Sequence, residues 1–254
     1  MIEVKGISKR FGNSQVLTDI SAVFRKGLVN QVIGKSGSGK SVLAKCIVGL
    51  HVPDEGQVLY EGRSFHDMDP DEKKTVRQEI GMLFQGSALF DSLTVLQNVL
   101  FPLQMFATMS RSEMEDRAHF CLKRVNILDK DHLFPSELSG GMQKRVGIAR
   151  AIAMNPQYLF CDEPNSGLDP QTSIVIDDLI KEITEEFNTT TIVITHDMNS
   201  VMETGENIIF IHQGRKWWEG SREELLNSDN KELNEFIFAG GLMRQVKKAM
   251  TGRS

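Results

Sequence analysis

Cysteine is scarce in this chain. Its three thiols, Cys46, Cys121 and Cys161, stand singly among apolar neighbours, at no spacing that would build a zinc site or a disulfide framework. That argues against a disulfide-stapled secreted domain and fits a reducing compartment. Also lacking is any run near the roughly 18 uninterrupted apolar residues that a bilayer span requires. The opening MIEVKGI reads as a short strand rather than a signal peptide, so the chain is expected not to cross a membrane by itself. Positive charge is not in excess: 29 basic against 34 acidic side chains leave a formal charge of −5. This argues against a broadly basic face, and with it against nucleic acid as a partner. No internal repeat or low-complexity linker is found. What remains is ordinary globular composition, 254 residues with 40% hydrophobic and 25% charged, enough for one large domain or two modest ones.

The chain alternates between strand and helix patterns. VNQVIGKSGSGKSVLAKCIVGL, from Val29, is a short apolar strand, a glycine and serine turn, and a helix carrying Val42, Leu43, Cys46 and Ile47. The runs QYLFCDEP (157–164), TTIVITHD (190–197) and NIIFIH (207–212) fit strands buried on both faces. Between the first two, Asp169 is a good N-cap and Pro170 suits the first helical position. Ile176, Leu179, Ile180, Ile183 and Phe187 then form one stripe. The alternation predicts a parallel sheet covered by helices. Residues 2–24 and 57–60 have β character without intervening helices, which predicts a small antiparallel sheet. Residues 94–154 read as helical, with breaks near 108–110 and 126–138, and predict an inserted helical subdomain. Gly240 and Gly241 mark a helix stop, followed by a tail with Arg244, Lys247, Lys248 and Arg253 and no acid.

Gly34, Lys35, Ser36, Gly37, Ser38, Gly39, Lys40 and Ser41 satisfy G-x-x-x-x-G-K-[ST], after a strand and before a helix, the context that confirms the motif. Such glycines let backbone N–H groups curl toward phosphate oxygens, and the helix N-terminus adds a favourable dipole. Lys40 would neutralise the β and γ phosphates of ATP, and the Ser41 hydroxyl would hold Mg²⁺. The metal needs an acidic anchor, and Tyr158 to Glu163 is an apolar strand ending in two carboxylates. Asp162 fits the metal side and Glu163 is placed to polarise the attacking water. Two acids opening a solvated loop before Pro164 are the plainer alternative.

Leu138-Ser139-Gly140-Gly141-Met142-Gln143-Lys144-Arg145 opens a helix with an apolar stripe of Met142, Val146, Ala149 and Ala153. Ser139 and both glycines are left at its N-terminal end, where unpaired N–H groups can grip a phosphate. Here the chain resembles the ATP-binding cassette ATPases, over almost its whole length. The resemblance implies an α/β P-loop NTPase: a RecA-like core with an antiparallel β subdomain (1–86 and 156–228), a helical subdomain (87–155) and a C-terminal helical extension (229–254). It implies a homodimer in which Ser139 and the following backbone close on ATP held by the second subunit. Phe11 stands where the family stacks an aromatic ring on adenine, although an aromatic at a strand end can equally be core. Gln85 matches the loop glutamine that approaches Mg²⁺ and the water. Ser166 to Asp169 match the loop by which subunits sense each other, alongside the capping role of Asp169. His196 matches the histidine that contacts the γ-phosphate.

Met142 replaces the usual glutamine of that family motif, and residues 86–103 read GSALFDSLTVLQNVLFPL. Both resemble the ATPase subunits of Mla-type phospholipid transporters. That likeness implies a separate multispanning permease, an MCE-domain lipid-binding protein, and attachment at the cytoplasmic face of the inner membrane through the permease. A small-molecule importer subunit and a soluble mechanical cassette are the rival expectations. Val95, Val99, Leu100, Leu103 and Phe106 suit either a groove for a partner's helix or the insertion's own core.

Overall fold

Alternating burial from Ile2 to Phe24 builds a hairpin. β1 (Ile2–Phe11) and β2 (Ser14–Phe24) pair antiparallel and close at Phe11 and Ser14. In the computed structural model, which describes residues 1–239, the chain then enters the wholly buried β3 (Val29–Ile33) and α1 (Lys40–Ile47). β4 (Glu55–Tyr60) returns to pair with β1, and β5 (Arg63–Ser64) follows it, giving an antiparallel sheet ordered β2-β1-β4-β5. α2 (Pro70–Gln78) starts at an Asp69 capping box closed by Glu72 and leads into β6 (Ile80–Leu83).

The helical segment follows as α3 (Val95–Phe106), α4 (Arg111–Arg124) and α5 (Gly140–Ile152). Thr94, Ser110 and Ser139 cap them, each accepting a backbone N–H three residues on. β7 (Tyr158–Asp162), α6 (Pro170–Phe187), β8 (Thr190–Thr195), α7 (Met198–Thr204) and β9 (Asn207–His212) restore the alternation. β10 (Arg215–Gly220), α8 (Arg222–Leu226) and α9 (Lys231–Ile237) complete the described residues. The second sheet is ordered β10-β9-β3-β8-β7-β6, parallel except for the edge strand β10. Among the described residues no helix is long and apolar enough to cross a membrane.

One apolar cluster runs from α3, α4 and α5 through α6 to one face of this sheet, joining Val99, Cys121 and Val146 to Ile180 and Leu159. The other face packs with α1 and the antiparallel sheet around Phe24, Ile47 and Tyr60. Of the two readings open for α3, the insertion's own core accounts for four of the five side chains. Val95, Val99, Leu100 and Leu103 are buried in the first cluster and only Phe106 is exposed, because three helices must bury their own stripes before any can serve a partner. Truncating Leu103 to Ala would cost about 2–5 kcal/mol. Buried Asn98 fastens the preceding loop, its amide donating to the carbonyls of Phe90, Leu93 and Thr94. The expected stop at Gly240 and Gly241 and the basic tail lie outside the described residues.

Candidate active site

Register alone assembles the site. β3 pairs Ile33 with Thr195 of β8, and β8 pairs Ile194 with Asp162 of β7. The carboxyl ends of three adjacent parallel strands therefore lie side by side, the place where open α/β sheets bind ligands. They deliver the phosphate loop, the Asp162 and Glu163 pair, and His196.

Two loop glycines are sterically required. A Cβ on Gly34, at φ +151°, would sit 2.2 Å from the Ile211 carbonyl oxygen, and one on Gly39, at φ +105°, would sit 2.6 Å from Leu17 Cδ2. Gly39 also caps α1 without a side-chain hydrogen bond, so the first-turn N–H groups stay open to an anion. Lys40 is buried, its ammonium donating to the carbonyls of Gly34 at 2.8 Å and Lys35 at 3.1 Å. Burial lowers its pKa, against the pull of Glu163 and Asp162.

Glu163 follows β7 with a left-handed backbone, φ +48°, and its N–H donates to the Ile194 carbonyl at 2.9 Å. Its carboxylate meets His196 Nδ1 at 2.8 Å and 2.9 Å. Beside it, burial and then repulsion from Glu163 raise the Asp162 pKa, while Lys40, Lys45 and Lys144 pull the other way. Gln85, after β6, reaches Ser166 Oγ at 3.5 Å. A cavity of about 450 Å³ is walled by Ser36, Gly37, Gly39, Lys40, Ser41, Gln85, Glu163 and His196, within the range of ligand sites. Asp162 Oδ1 and Ser38 Oγ are buried with no hydrogen-bond partner among the described residues. An orphaned carboxylate oxygen at the end of β7, together with the hydroxyl of Ser41 and the amide oxygen of Gln85 from the cavity wall, would make a hard-oxygen donor set of the kind that Mg²⁺ takes. An orphaned loop hydroxyl fits a phosphate.

Five expected residues, Phe11, Ser139, Gly140, Gly141 and Asp169, are not part of the wall of this cavity. Phe11 is 44% exposed and packs edge-on to His51 at 5.2 Å, and it is Val16 that contributes to the cavity wall. Ser139, Gly140 and Gly141 form the N-terminal end of α5, with Ser139 and Gly140 exposed. A Cβ on Gly141 would lie 2.5 Å from Thr172 Cγ2, and Thr172 is itself held by Asp169 through both its N–H and its hydroxyl. These hydrogen bonds hold the Asp169 pKa below its usual value. Asp169 is thus the cap of α6 and sits next to the α5 end.

Two buried polar residues were not anticipated. Lys144 is 4% exposed and donates to the carbonyls of Gln85 and Glu163. Asp177 accepts from Asn165 Nδ2 at 2.9 Å and Ser200 Oγ at 2.8 Å, joining the loop after Glu163 to the helix after His196. Both sit at core-facing positions, Lys144 between Gly141 and Ile148, and Asp177 between Ser173 and Ile180. A charge on a buried helical face is the signal that would have found them.

The family model described as ABC transporter matches residues 17–166. The methionine import ATP-binding protein of Desulfitobacterium hafniense is 39% identical over 93% of this chain and 71% of its own length. The glutamine transport ATP-binding protein of Escherichia coli is 38% identical over 93% of this chain and 98% of its own. A probable ribonucleotide transport ATP-binding protein of Mycobacterium leprae is 36% identical over 93% and 68%. Among solved structures, a dimeric ATP-binding cassette in a post-hydrolysis state with ADP and Pi superposes with a TM-score of 0.79 at 35% identity, covering 87% of this chain and 99% of that one. The cbiO1 protein of Clostridium perfringens, described as part of an ABC transporter complex, gives 0.83 at 27% identity and 98% coverage of both. With the phosphate loop, the paired carboxylates and the α5 end in one α/β fold, the chain belongs to the ATP-binding cassette family, as the ATPase subunit of an ABC transporter.

Proposed function

We propose that the chain works as a homodimer that encloses two ATP molecules, hydrolyses them, and drives transport through a separate membrane permease. The observation that carries this reading is the separation of two half-sites. The phosphate cavity is walled by the strand ends, while the exposed Ser139 end of α5 contributes nothing to it. A second copy would bring that end to the phosphates, and a neighbour solved as a dimer with ADP and Pi supports the arrangement.

In the reaction, Glu163 orients a water and takes its proton as the oxygen attacks the γ-phosphorus, and ADP leaves. His196 holds the Glu163 carboxylate and faces the same cavity. Lys40 exchanges its loop carbonyls for the β and γ phosphates, and the α5 end of the partner subunit stabilises the γ-phosphate charge. Ser41, Gln85 and Asp162 would hold Mg²⁺, which supplies neutralisation of phosphate charge when bound.

For the cargo, the named relatives carry methionine, glutamine and ribonucleotide transport in their names, which supports an importer of small polar solutes. Phospholipid trafficking with an MCE-domain protein is the second reading, supported by Met142 and by the sequence of residues 86–103. Capture of membrane complexes on the tagged chain separates them. A permease with a solute-binding protein supports import, and a permease with an MCE-domain protein supports lipid transport. Absence of any permease would contradict both.

A further inference from the structure

Lys144 is a buried cation whose hydrogen-bond partners are main-chain carbonyls, one of Gln85 and one, at 3.3 Å, of Glu163. Burying an ammonium is costly, and a methionine or leucine would fill the same space more cheaply. What the charge holds is informative. Glu163 is itself in the left-handed region at φ +48°, and the loop after Gln85 carries Ser87 at +60° and Ala88 at +47°. Such conformations persist only where the surroundings over-determine them. α5 supplies that restraint along one ridge. Arg150, further along α5, donates to the carbonyls of Ser87 and Ala88, each at 2.7 Å. Between Lys144 and Arg150, Gly147 is pressed so close that a Cβ would lie 2.7 Å from Leu83 Cδ1. α5 thus cannot shift without carrying the Gln85 loop with it. Ser139 caps the same helix, about 7.5 Å along the axis from Lys144.

We propose that Lys144 is a positioning residue that couples the two half-sites of each chain. It ties the backbone of Glu163 and Gln85 to the helix whose Ser139 end engages the nucleotide held by the second protomer. Closure on one ATP therefore sets the hydrolytic loops at the other. The proposal rests on the ATP-sandwich dimer proposed above, and it makes hydrolysis cooperative in ATP.

The test is steady-state hydrolysis by the full-length chain across ATP concentration, alongside binding of a fluorescent ATP analogue. Lys144→Met keeps length and apolar packing but removes both hydrogen bonds, whereas Lys144→Gln restores an amide donor. The expected result for Lys144→Met is kcat lowered about tenfold with analogue affinity within about twofold of wild type. Its Hill coefficient is expected to fall from about two toward one. Lys144→Gln is expected to recover part of both. Wild-type kcat and cooperativity in Lys144→Met, a lowered kcat with unchanged cooperativity, or a non-cooperative wild type would each overturn the proposal. If Lys144→Met melts below the assay temperature, the comparison is made with both proteins at a temperature below its melt: a reduced Hill coefficient supports coupling, and a wild-type one overturns it. Ser139→Ala separates the two layers. Cooperativity that survives Ser139→Ala means the sandwich reading has failed. Cooperativity lost there but kept in Lys144→Met leaves the sandwich standing and removes Lys144 from the coupling.

Discussion

The carboxylate of Glu163 and the Nδ1 of His196 lie 2.8 Å apart, although they belong to the ends of two different strands and are separated by 33 positions in the chain. The contact restrains the rotamer of a carboxylate whose backbone is already left-handed, so under the proposed mechanism orientation of the water would depend on both residues. Replacing His196 by Ala should leave ATP binding intact and lower kcat by about a hundredfold. Single-turnover hydrolysis measured beside analogue binding checks this, and loss of binding in step with rate would contradict it.

Gly34→Ala tests the phosphate loop. Its new Cβ would meet the Ile211 carbonyl oxygen at 2.2 Å, in a region of φ that side chains rarely adopt. Because the clash is with a main-chain carbonyl, relief requires the loop to move off β9. A thermal melt should show a loss of roughly 1–3 kcal/mol, and ATP-analogue affinity should collapse. Wild-type affinity would show that the loop tolerates the shift.

Asp177 gives a signed pH dependence. Burial raises its pKa from 3.8 to about 6, although Ser200 and Asn165 donate to it. Between those values the folded protein binds more protons than the unfolded chain, so stability falls as pH rises through that window and stays reduced above it. The deficit at neutral pH is on the order of 3 kcal/mol. Asp177→Asn removes the ionisation and can still pair, since Asn165 Oδ1 lacks a partner among the described residues. Its Tm should exceed wild type by on the order of 5 °C at neutral pH and converge with it near the usual carboxylate pKa. A variant less stable at both ends would refute this.

The thiols make a fourth case. Cys46, Cys121 and Cys161 are all buried and unpaired, and burial pushes the first two up to about 11 and Cys161 up to about 12. Thiolate is the reactive form, so the native protein should resist iodoacetamide at neutral pH and take up three labels only after unfolding. Mass spectrometry reads the result directly, and rapid native labelling would show that one of these thiols is open to reagent.

Strands β7, β8 and β9 could be read from sequence because burial on both faces makes them continuous apolar runs, and α6 because Asp169 and Pro170 announce its start. The polar helix α2, the two-residue β5 and the amphipathic β10 carry weaker patterns and emerge only from pairing and packing. At the site, the phosphate loop, Asp162, Glu163 and His196 could be singled out from sequence because each follows an apolar strand run, and the strand register brings those ends side by side. Lys144 and Asp177 could not, because their role depends on which carbonyls and hydroxyls the fold brings to them. Phe11 shows the same limit, since an aromatic at a strand end has no signature that places its ring in the cavity rather than against His51.

The ATP-sandwich dimer is tested most directly by the mass of the Glu163→Gln protein in solution with ATP and Mg²⁺. That variant keeps the phosphate loop and α5 intact while removing the carboxylate proposed to take the proton from water. The account predicts a shift from the 28.5 kDa chain to twice that mass on adding ATP, reversed by its removal, with hydrolysis nearly abolished. A protein that stays monomeric at saturating ATP and hydrolyses it at the wild-type rate would contradict the account.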